Sequence, residues 1–515
     1  MIDSSKNKRI AKNTLVLYVR MLFLMVINLY TSRVILSALG VDDFGIYNVV
    51  GGFVALFAIV SRSLSGAESR FLNYAMGSGD KERVKTTFSS TVTIQILLAC
   101  IVAILAEAIG VWFLNNKMVI PQDRLVAANW CFQLSVLTFC YNLFAVPYNA
   151  AIIAHERMSI FAYVSIIEGA AKLGISYLIF CSPIDKLVFY AILLCLLQII
   201  IRELYRSYCK KNFEECTYKF IYDKNFLKEL LSYAGWGYIG STAEVLRNQG
   251  INVLINLFFG PAINAARAIA NQVLHAVDGF INNFMVAVRP QMVQSYAAGN
   301  IIYVNDLIIK SSKFSYYLFL ILSLPIIFNT DALLHLWLKV VPDQCAIFIQ
   351  LTLVFTMITI LYRPISIAQA ATGKIRDYQI VVSGVQLLNL PISYCCLKLG
   401  CPVVIVLVVA IVLAMIVLFL SMYMIKRIMP FNAMAFTRQV LLRVLLVTIM
   451  AIIVPSLISS FLPHNLFWLI MGILICLFST VFWVYVVGCN NQEKNYFIHM
   501  ATNIWNSLLS KKKFK

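Results

Sequence analysis

Residues 402–425 read PVVIVLVVAIVLAMIVLFLSMYMI and contain no charged side chain. About 20 consecutive apolar residues are enough for a helix to cross the hydrocarbon core of a bilayer. Gly400 and Cys401 precede the run, and Lys426 and Arg427 follow it, so a helix breaker and charges mark its two ends. The stretch predicts a membrane-spanning helix, and its recurrence along the chain decides the fold class.

The composition shows that such stretches recur. Of the 515 residues, 61% are hydrophobic and 13% are charged, and the mean hydropathy is +0.83. A soluble protein has about 45–50% apolar and about 25% charged residues. A large soluble enzyme, a disordered chain and a fibrous repeat are therefore excluded. The 13 cysteines form no CxxC pair and lie mostly in apolar runs, so we interpret them as buried apolar residues, not as a disulfide framework.

We predict an all-α polytopic membrane protein with about fourteen transmembrane helices. Glycine and proline residues separate the apolar runs. The predicted spans are residues 13–36, 45–72, 86–113, 125–152, 158–181, 186–207, 230–258, 265–293, 307–328, 345–370, 377–397, 402–425, 438–461 and 465–488.

The distribution of basic residues predicts the orientation, because Lys and Arg concentrate in cytoplasmic loops. With the N-terminus in the cytoplasm, thirty of the 42 basic residues fall on the cytoplasmic side, five fall outside, and seven lie within spans. We therefore expect a multi-pass membrane protein with both termini cytoplasmic. The basic loops suit anionic lipid headgroups better than nucleic acid, and we predict no nucleic-acid partner. The loops are too short to form a catalytic domain, so we do not predict an enzyme.

The chain contains an internal duplication. At an offset of 220 residues, Gly40 aligns with Gly260 and Gly79 with Gly299, and weaker matches continue at offsets of 217–221. Each repeat holds six spans, an even number, so the two repeats insert in parallel, as in several transporter folds. We predict four regions: a six-helix lobe at 1–220, a second at 221–430, two additional transmembrane helices at 431–490, and a basic cytoplasmic tail at 491–515.

Apart from the basic residues near span ends that are counted above with the cytoplasmic side or the outside, seven lie within the predicted spans, where each costs roughly 2.5–3.5 kcal/mol at a helix centre. Two of them have an acidic residue within one helical turn, Glu168 for Lys172 and Glu244 for Arg247, and these pairs are candidates for mutual neutralisation. Two more, Arg33 and Arg363, lie near span ends and are candidates for reaching the headgroups. The remaining three have no such neighbour and are the best candidates for lining a cavity: Arg20, Arg62 and Arg267.

Polar side chains form a stripe along the eighth predicted span. Its members are Arg267, Asn271, His275, Asp278, Asn282 and Arg289. Their spacing confines them to an arc of roughly 80° on a helix. Such a stripe either holds two helices together or lines a cavity, and its charges favour the cavity. The first, second and seventh spans also carry polar faces, and the seventh includes Glu244 and Asn248.

A basic cavity predicts an anionic substrate, because the guanidinium fork binds two phosphate oxygens. We therefore predict that Arg20, Arg62, Arg247 and Arg267 bind a phosphate group of the substrate; the resemblance described below implies that this group is a pyrophosphate. The other polar side chains would line the same cavity: Lys172, Glu244, Asn248, Asn271, His275, Asp278 and Asn282. The sequence contains no P-loop, zinc-ligand spacing or nucleophile elbow. We predict no cofactor, although Asp278 and His275 are candidates for coupling to H⁺ or Na⁺.

Four segments resemble a known family. The opening Asn7-Lys8-Arg9-Ile10-Ala11-Lys12-Asn13-Thr14 and the later Asp43-Phe44-Gly45-Ile46-Tyr47-Asn48-Val49-Val50 are similar to the polysaccharide-exporter branch of the multidrug/oligosaccharidyl-lipid/polysaccharide superfamily. Leu336-Trp337-Leu338 and Ala370-Ala371-Thr372-Gly373-Lys374 resemble its second lobe. The resemblance covers essentially the whole chain.

The resemblance implies a two-lobed, V-shaped, MATE-like flippase that works by alternating access. Members of this branch move undecaprenyl-pyrophosphate-linked sugar units for O-antigen, capsule or other cell-surface polysaccharide synthesis, and their spans 1, 2, 7 and 8 line the central cavity. The implied partners are a lipid-linked oligosaccharide, membrane lipids, and a polysaccharide polymerase and glycosyltransferases of the same pathway. Two alternatives stay open: a cation-coupled multidrug exporter on the same fold, and a flippase of the lipid II type. A membrane polymerase or ligase is disfavoured because no outside loop is long.

Overall fold

The structure is a computed structural model that describes residues 4–55, 58–116, 120–221, 223–259, 261–337, 341–459 and 466–495. Every regular element in these ranges is helical. The α-helices are α1 Ser4–Ala55, α2 Ala58–Ser78, α3 Lys81–Leu105, α4 Val111–Asn116, α5 Leu125–Ala154, α6 Met158–Leu178, α7 Lys186–Asn212, α8 Lys224–Phe259, α9 Pro261–Ala297, α10 Ile301–Phe328, α11 Thr330–Trp337, α12 Cys345–Ala371, α13 Arg376–Leu387, α14 Asn389–Lys398, α15 Ile405–Ile428, α16 Ala433–Phe436, α17 Leu442–Ser459 and α18 Leu466–Trp483. Short 3₁₀ and π-helical turns connect or extend several of them.

The predicted break between the first two spans is confirmed. Gly40 has φ 81° and ψ 174°, a non-helical conformation that kinks α1 and that a residue without a Cβ atom adopts readily. The segment that ends there, Asn13–Gly40, is long and apolar enough to cross a membrane. The predicted second span, 45–72, includes residues 56 and 57, which lie outside the described residues, so its limits stay a prediction.

Eleven helical segments among the described residues are long and apolar enough to cross a membrane. The predicted spans missing from this set are 45–72, 230–258 and 265–293, which correspond mainly to α2, α8 and α9. These helices contain 21, 36 and 37 residues and are therefore long enough to cross. Their polar side chains lower their hydropathy. The all-α membrane fold is confirmed, whereas the number fourteen stays a prediction.

The backbone repeats the duplication that the sequence predicts. Gly79 and Gly299, 220 residues apart, have φ values of 76° and 75°. Glu156 and Gly373, 217 residues apart, have φ values of 55° and 80°. Both pairs follow a helix and precede the next one, so corresponding turns in the two repeats adopt the same left-handed conformation.

The chain divides into two compact units. Unit 1 comprises Met1–Val245, Asn283–Val304 and Ile367–Gly384, and unit 2 comprises Leu246–Asn282, Asn305–Ser366 and Val385–Lys515. The predicted domain limits at 220, 430 and 490 stay predictions.

The core of unit 1 lies among its long helices. Helix α1 packs against α6, and α5 packs against α3 and α7. Phe88, Phe132 and Tyr205 are fully buried within this core. Other faces carry large apolar side chains outward, such as Ile101 and Ile104 on α3, which are 54% and 67% exposed. These faces suit contact with lipid, since the helices satisfy their own backbone hydrogen bonds.

In unit 2, α17 packs against α18 and α14 packs against α15. Helix α10 contributes buried side chains such as Phe319 and Leu320. The two additional helices α17 and α18 expose apolar residues along much of their length, including Leu445 and Phe478. They are therefore built for an apolar environment on their outer faces.

Candidate substrate-binding residues

Two arginines of unit 2 meet at one asparagine. The Nη1 group of Arg267 on α9 donates to the backbone oxygen of Asn248 at 3.2 Å and to Oδ1 of Asn252 at 2.6 Å. The Nη2 group of Arg247 on α8 lies 3.5 Å from Oδ1 of the same Asn248. Arg267 is 9% exposed, whereas Arg247 is half-buried and its guanidinium lies 5.6 Å from the centre of the Phe355 ring. The structure brings together three of the residues that the sequence predicts for the cavity: Arg247, Asn248 and Arg267.

The expected neutralisation of Arg247 by Glu244 does not occur in the described residues. In that part of the chain neither Arg247 nor Arg267 has a carboxylate oxygen within 4.0 Å, and Glu244 is exposed. A shared turn of helix permits an ion pair but does not enforce it, because the side chain of Arg247 instead turns toward Phe355. A cavity beside Arg247 has a volume of about 10 Å³, enough for one water molecule at most. Among the described residues, the two guanidinium groups therefore have no carboxylate counter-charge.

Two residues of the polar stripe on α9, Asp278 and Asn282, form a hydrogen-bonded cluster with Arg363. Nη1 of Arg363 on α12 lies 2.9 Å from Oδ1 of Asp278 and donates to Oδ1 of Asn282 at 3.2 Å. Nδ2 of Asn282 donates to Oδ2 of Asp278 at 2.9 Å. The expectation that Arg363 reaches the headgroups is therefore wrong, since a carboxylate on another helix holds it. Of the other stripe residues, Asn271 is half-buried and His275 is exposed.

In unit 1, Lys172 has a partner, as the sequence predicts. Its Nζ atom lies 2.7 Å from Oε1 of Glu168 one turn earlier on α6. Nε2 of Gln198 on α7 donates to the same oxygen at 2.8 Å, and Arg202 donates to Oε1 of Gln198 at 3.0 Å. Lys172 thus belongs to a hydrogen-bonded network in which its charge is compensated.

Arg20 has no carboxylate partner within 4.0 Å among the described residues. Its guanidinium carbon lies 4.5 Å from the centre of the Phe161 ring, and in the described part of the chain its buried Nε atom has no hydrogen-bond partner. The backbone of Arg62 belongs to α2, but its side chain lies outside the described residues. Arg20 therefore resembles Arg247 in lying against an aromatic ring, and it remains a candidate ligand for an anion.

The Asp43 of the segment that resembles the exporter branch has a structural role. Arg124 bonds both Asp43, with its Nε atom at 2.7 Å, and Asp185, with its Nη1 atom at 2.6 Å. Burial opposes ionisation of Asp185, but hydrogen bonds from Arg124 and from the amides of Val188 and Leu187 hold its pKa below the ordinary value. This cluster ties α1 to the beginnings of α5 and α7.

Sequence reasoning missed two further charged sites. Arg70 is one of the thirty basic residues that the sequence assigns to the cytoplasmic side. It is 9% exposed and surrounded by aromatic rings. Lys313 is assigned to the cytoplasmic side as well, but it is 2% exposed. Its Nζ atom bonds Glu493 and lies 2.7 Å from each carboxylate oxygen. Neither partner lies within one helical turn, so no local spacing could have revealed these contacts.

The helical architecture is shared with several solved membrane transporters. The structure matches a crystal structure of a MATE mutant with a TM-score of 0.70, 12% identity and coverage of 82% of this chain and 97% of that chain. It also matches an outward-facing multidrug resistance MATE family transporter of the MOP superfamily, with a TM-score of 0.68, 12% identity and coverage of 82% and 96%. A MOP superfamily transporter from Pyrococcus furiosus, described as having a binding pocket of reverse polarity, gives 0.66, 13% identity and coverage of 82% and 96%.

The sequence identifies the family within this fold. Residues 8–296 match the family described as "Polysaccharide biosynthesis protein", and the chain belongs to that family. It is 20% identical over 279 residues to the "Uncharacterized membrane protein EpsK" of Bacillus subtilis, a match that covers 53% of this chain and 54% of that protein. The chain thus spans about half the length of this relative. The predicted membership of the polysaccharide-exporter branch is confirmed, and family and fold are those of membrane transporters.

Proposed function

We propose that this protein is a flippase that moves an undecaprenyl-pyrophosphate-linked oligosaccharide across the bacterial inner membrane by alternating access. The product would serve the synthesis of O-antigen, capsule or another cell-surface polysaccharide. Its termini would face the cytoplasm, and the polymerase and glycosyltransferases of the same pathway would be its partners. Membership of the polysaccharide biosynthesis family supports the substrate class.

The observation that carries the proposal is the pair of guanidinium groups at Asn248. Two like charges that share one hydrogen-bonding residue repel each other, and the cost is large where water is scarce. A pyrophosphate group would remove this cost, because its oxygens accept hydrogen bonds from several guanidinium N–H groups at once. Arg247 is the better exposed of the two and would contact the substrate, while Arg267 would supply charge behind it.

The neighbouring amides suit the sugar portion of such a substrate. Asn248 is exposed and Asn271 is half-buried, and amide side chains both donate and accept hydrogen bonds with hydroxyl groups. The inside-negative membrane potential would favour outward movement of an anion by about 2.3 kcal/mol per charge per 100 mV. Coupling to H⁺ or Na⁺ at Asp278 or His275 remains part of the proposal, with no other cofactor.

The pairing of Asp278 disfavours the multidrug-exporter alternative. A pocket for organic cations needs an available carboxylate, but Asp278 already bonds Arg363 at 2.9 Å. A flippase of the lipid II type would use the same pyrophosphate chemistry, and the choice of glycan in the assay separates it from the proposed function.

The experiment is transport of a fluorescent undecaprenyl-pyrophosphate oligosaccharide in proteoliposomes. We expect Arg247→Gln to slow flipping by roughly tenfold, because one hydrogen bond to a charged group contributes about 1.5–3 kcal/mol. Arg62→Gln and Arg267→Gln extend the test to the other predicted ligands. Lys426→Gln, which removes an exposed charge at the end of α15, is the matched control.

Wild-type rates in the Arg247, Arg62 and Arg267 variants would refute the phosphate-binding role. Transport of lipid II at the same rate as the oligosaccharide would favour the lipid II alternative. Resistance of cells to cationic dyes on overexpression, together with no flipping, would favour the drug exporter.

A further inference from the structure

Unit 1 contains a cavity of about 210 Å³ at which α2, α8 and the turn before α13 meet. Three basic side chains line it: Arg70, Lys374 and Arg376. Tyr233 and Trp236 contribute aromatic rings to the same wall. None of these residues belongs to the set proposed to bind the transported substrate.

Arg70 is the buried member of this group. It is 9% exposed, and its Nη2 atom donates to the backbone oxygen of Ala371 at 3.1 Å. Its Nε atom is buried and has no hydrogen-bond partner among the described residues, although the guanidinium lies 4.6 Å from the Phe71 ring and 4.9 Å from the Tyr74 ring. A buried charge whose hydrogen bonds are incomplete is costly. An anion in the cavity would offset the charge of this guanidinium.

The other charges of the cavity also favour an anion. Lys374 and Arg376 are exposed, and Arg376 lies over the Trp236 ring at 5.4 Å. Glu229 is the carboxylate among the lining residues, and it is exposed as well. Three basic groups against one acidic group give the cavity an excess of positive charge.

The duplication offers an internal comparison. Gly373 corresponds to Glu156 of the first repeat, and both residues have positive φ. In the first repeat the Glu156 carboxylate lies 2.9 Å from Nε of Arg9 and accepts from Gln291 at 3.2 Å. In the second repeat the residue has no side chain, and a Cβ atom added there would lie 2.6 Å from Nη2 of Arg70. A basic group therefore approaches the loop in both repeats, but the loop residue with positive φ carries a carboxylate in the first repeat and no side chain in the second.

We propose that this cavity binds a phosphate ester group, which takes the place that the Glu156 carboxylate occupies in the first repeat. The volume of about 210 Å³ equals that of roughly seven water molecules, which suits a phosphate headgroup and not an oligosaccharide. Arginine forks and aromatic rings are the groups that hold lipid phosphates near a membrane surface. The phosphate belongs either to an anionic lipid or to a soluble phosphate ester.

Two probes distinguish these sources, and both use the purified full-length protein. Native mass spectrometry measures retained phosphatidylglycerol, and calorimetric titration with glycerol phosphate in phosphatidylcholine nanodiscs measures a soluble ester. The test variant combines Lys374→Gln with Arg376→Gln, because both side chains are exposed and their loss should leave the fold intact. The matched control combines Lys210→Gln with Lys211→Gln, which removes two exposed charges at the end of α7 outside the cavity.

We expect the test variant to bind the effective probe about tenfold more weakly, because two partly screened ion pairs are lost. The control should bind as the wild type does, and Glu229→Gln should bind more tightly because it removes the opposing carboxylate. Retention of the lipid without binding of glycerol phosphate assigns the site to a lipid headgroup, and binding of glycerol phosphate assigns it to a soluble ester. The proposal is overturned if the wild type binds neither probe, or if the control loses as much affinity as the test variant.

Discussion

The ion pair between Lys313 and Glu493 should dominate the stability of the C-terminal part of unit 2. Lys313 on α10 is 2% exposed and Glu493 is 9% exposed. Both carboxylate oxygens lie 2.7 Å from the Lys313 Nζ atom. Removing one partner of a buried pair leaves an uncompensated charge and costs about 3–5 kcal/mol. We expect Glu493→Gln to lower the free energy of unfolding by about that amount.

Glu493 has a second role that the substitution must preserve. Asn490 and Glu493 form a reciprocal cap, in which the amide of Glu493 donates to Oδ1 of Asn490 and the amide of Asn490 donates to Oε2 of Glu493, both at 2.8 Å. Glutamine also serves at this position of a capping box, so Glu493→Gln removes the charge and retains the cap. Asn490→Ala removes the cap and leaves the ion pair, at a cost of about 1 kcal/mol.

The assay is equilibrium unfolding of the purified protein in mixed micelles, followed by circular dichroism. The double variant Lys313→Met with Glu493→Gln should recover most of the lost stability, because it removes both charges from the interior. The reasoning is refuted if Glu493→Gln destabilises no more than Asn490→Ala. It is also refuted if the double variant is as unstable as Glu493→Gln alone.

Two further perturbations test local features of unit 1. Gly373→Ala should lower the free energy of unfolding by about 1–2 kcal/mol, because φ is 80° and the new Cβ would clash with Arg70. The control Gly384→Ala should have no such effect, because there is open space around its Cβ. Equal thermal stability of the two variants would contradict this prediction. Asp185→Asn should lower the melting temperature at neutral pH, and because the pKa of Asp185 is depressed in the folded state, the difference from wild type should vanish as the pH falls below about 4. The exposed Asp123→Asn is the control for the lost charge, and a difference that persists at acid pH would exclude the interaction with Arg124.

The fold follows from the sequence because the signal for a membrane helix is local. An uncharged apolar run such as 402–425 has one stable arrangement in a bilayer, a helix, and α15 spans Ile405–Ile428. Polar helices weaken the same signal. Helices α8 and α9 carry many polar side chains and are missing from the described segments that are apolar enough to cross, although the sequence predicts spans at 230–258 and 265–293.

The candidate site was predicted only where partners lie on one helix. The spacing of Glu168 and Lys172 predicts their ion pair, which the structure confirms at 2.7 Å. The partner of Asp278 is Arg363, which lies on a different helix and 85 residues away in sequence. No periodicity encodes such a pair, because it depends on how the helices pack.

The basic residues within the predicted spans differ in whether a carboxylate compensates their charge. Lys172 and Arg363 have carboxylate partners, so their cost in the bilayer is offset within the protein and they need no substrate to explain them. Arg20 and Arg247 lie against aromatic rings instead, without a carboxylate within 4.0 Å in the described part of the chain. A cation–π contact is worth about 0.5–2 kcal/mol, less than the cost of a charge at a helix centre. The part of this free-energy cost that the aromatic rings do not offset is a reason to expect an anionic ligand at Arg20 and Arg247. The same reason does not apply to Lys172 and Arg363, whose charges are already paired.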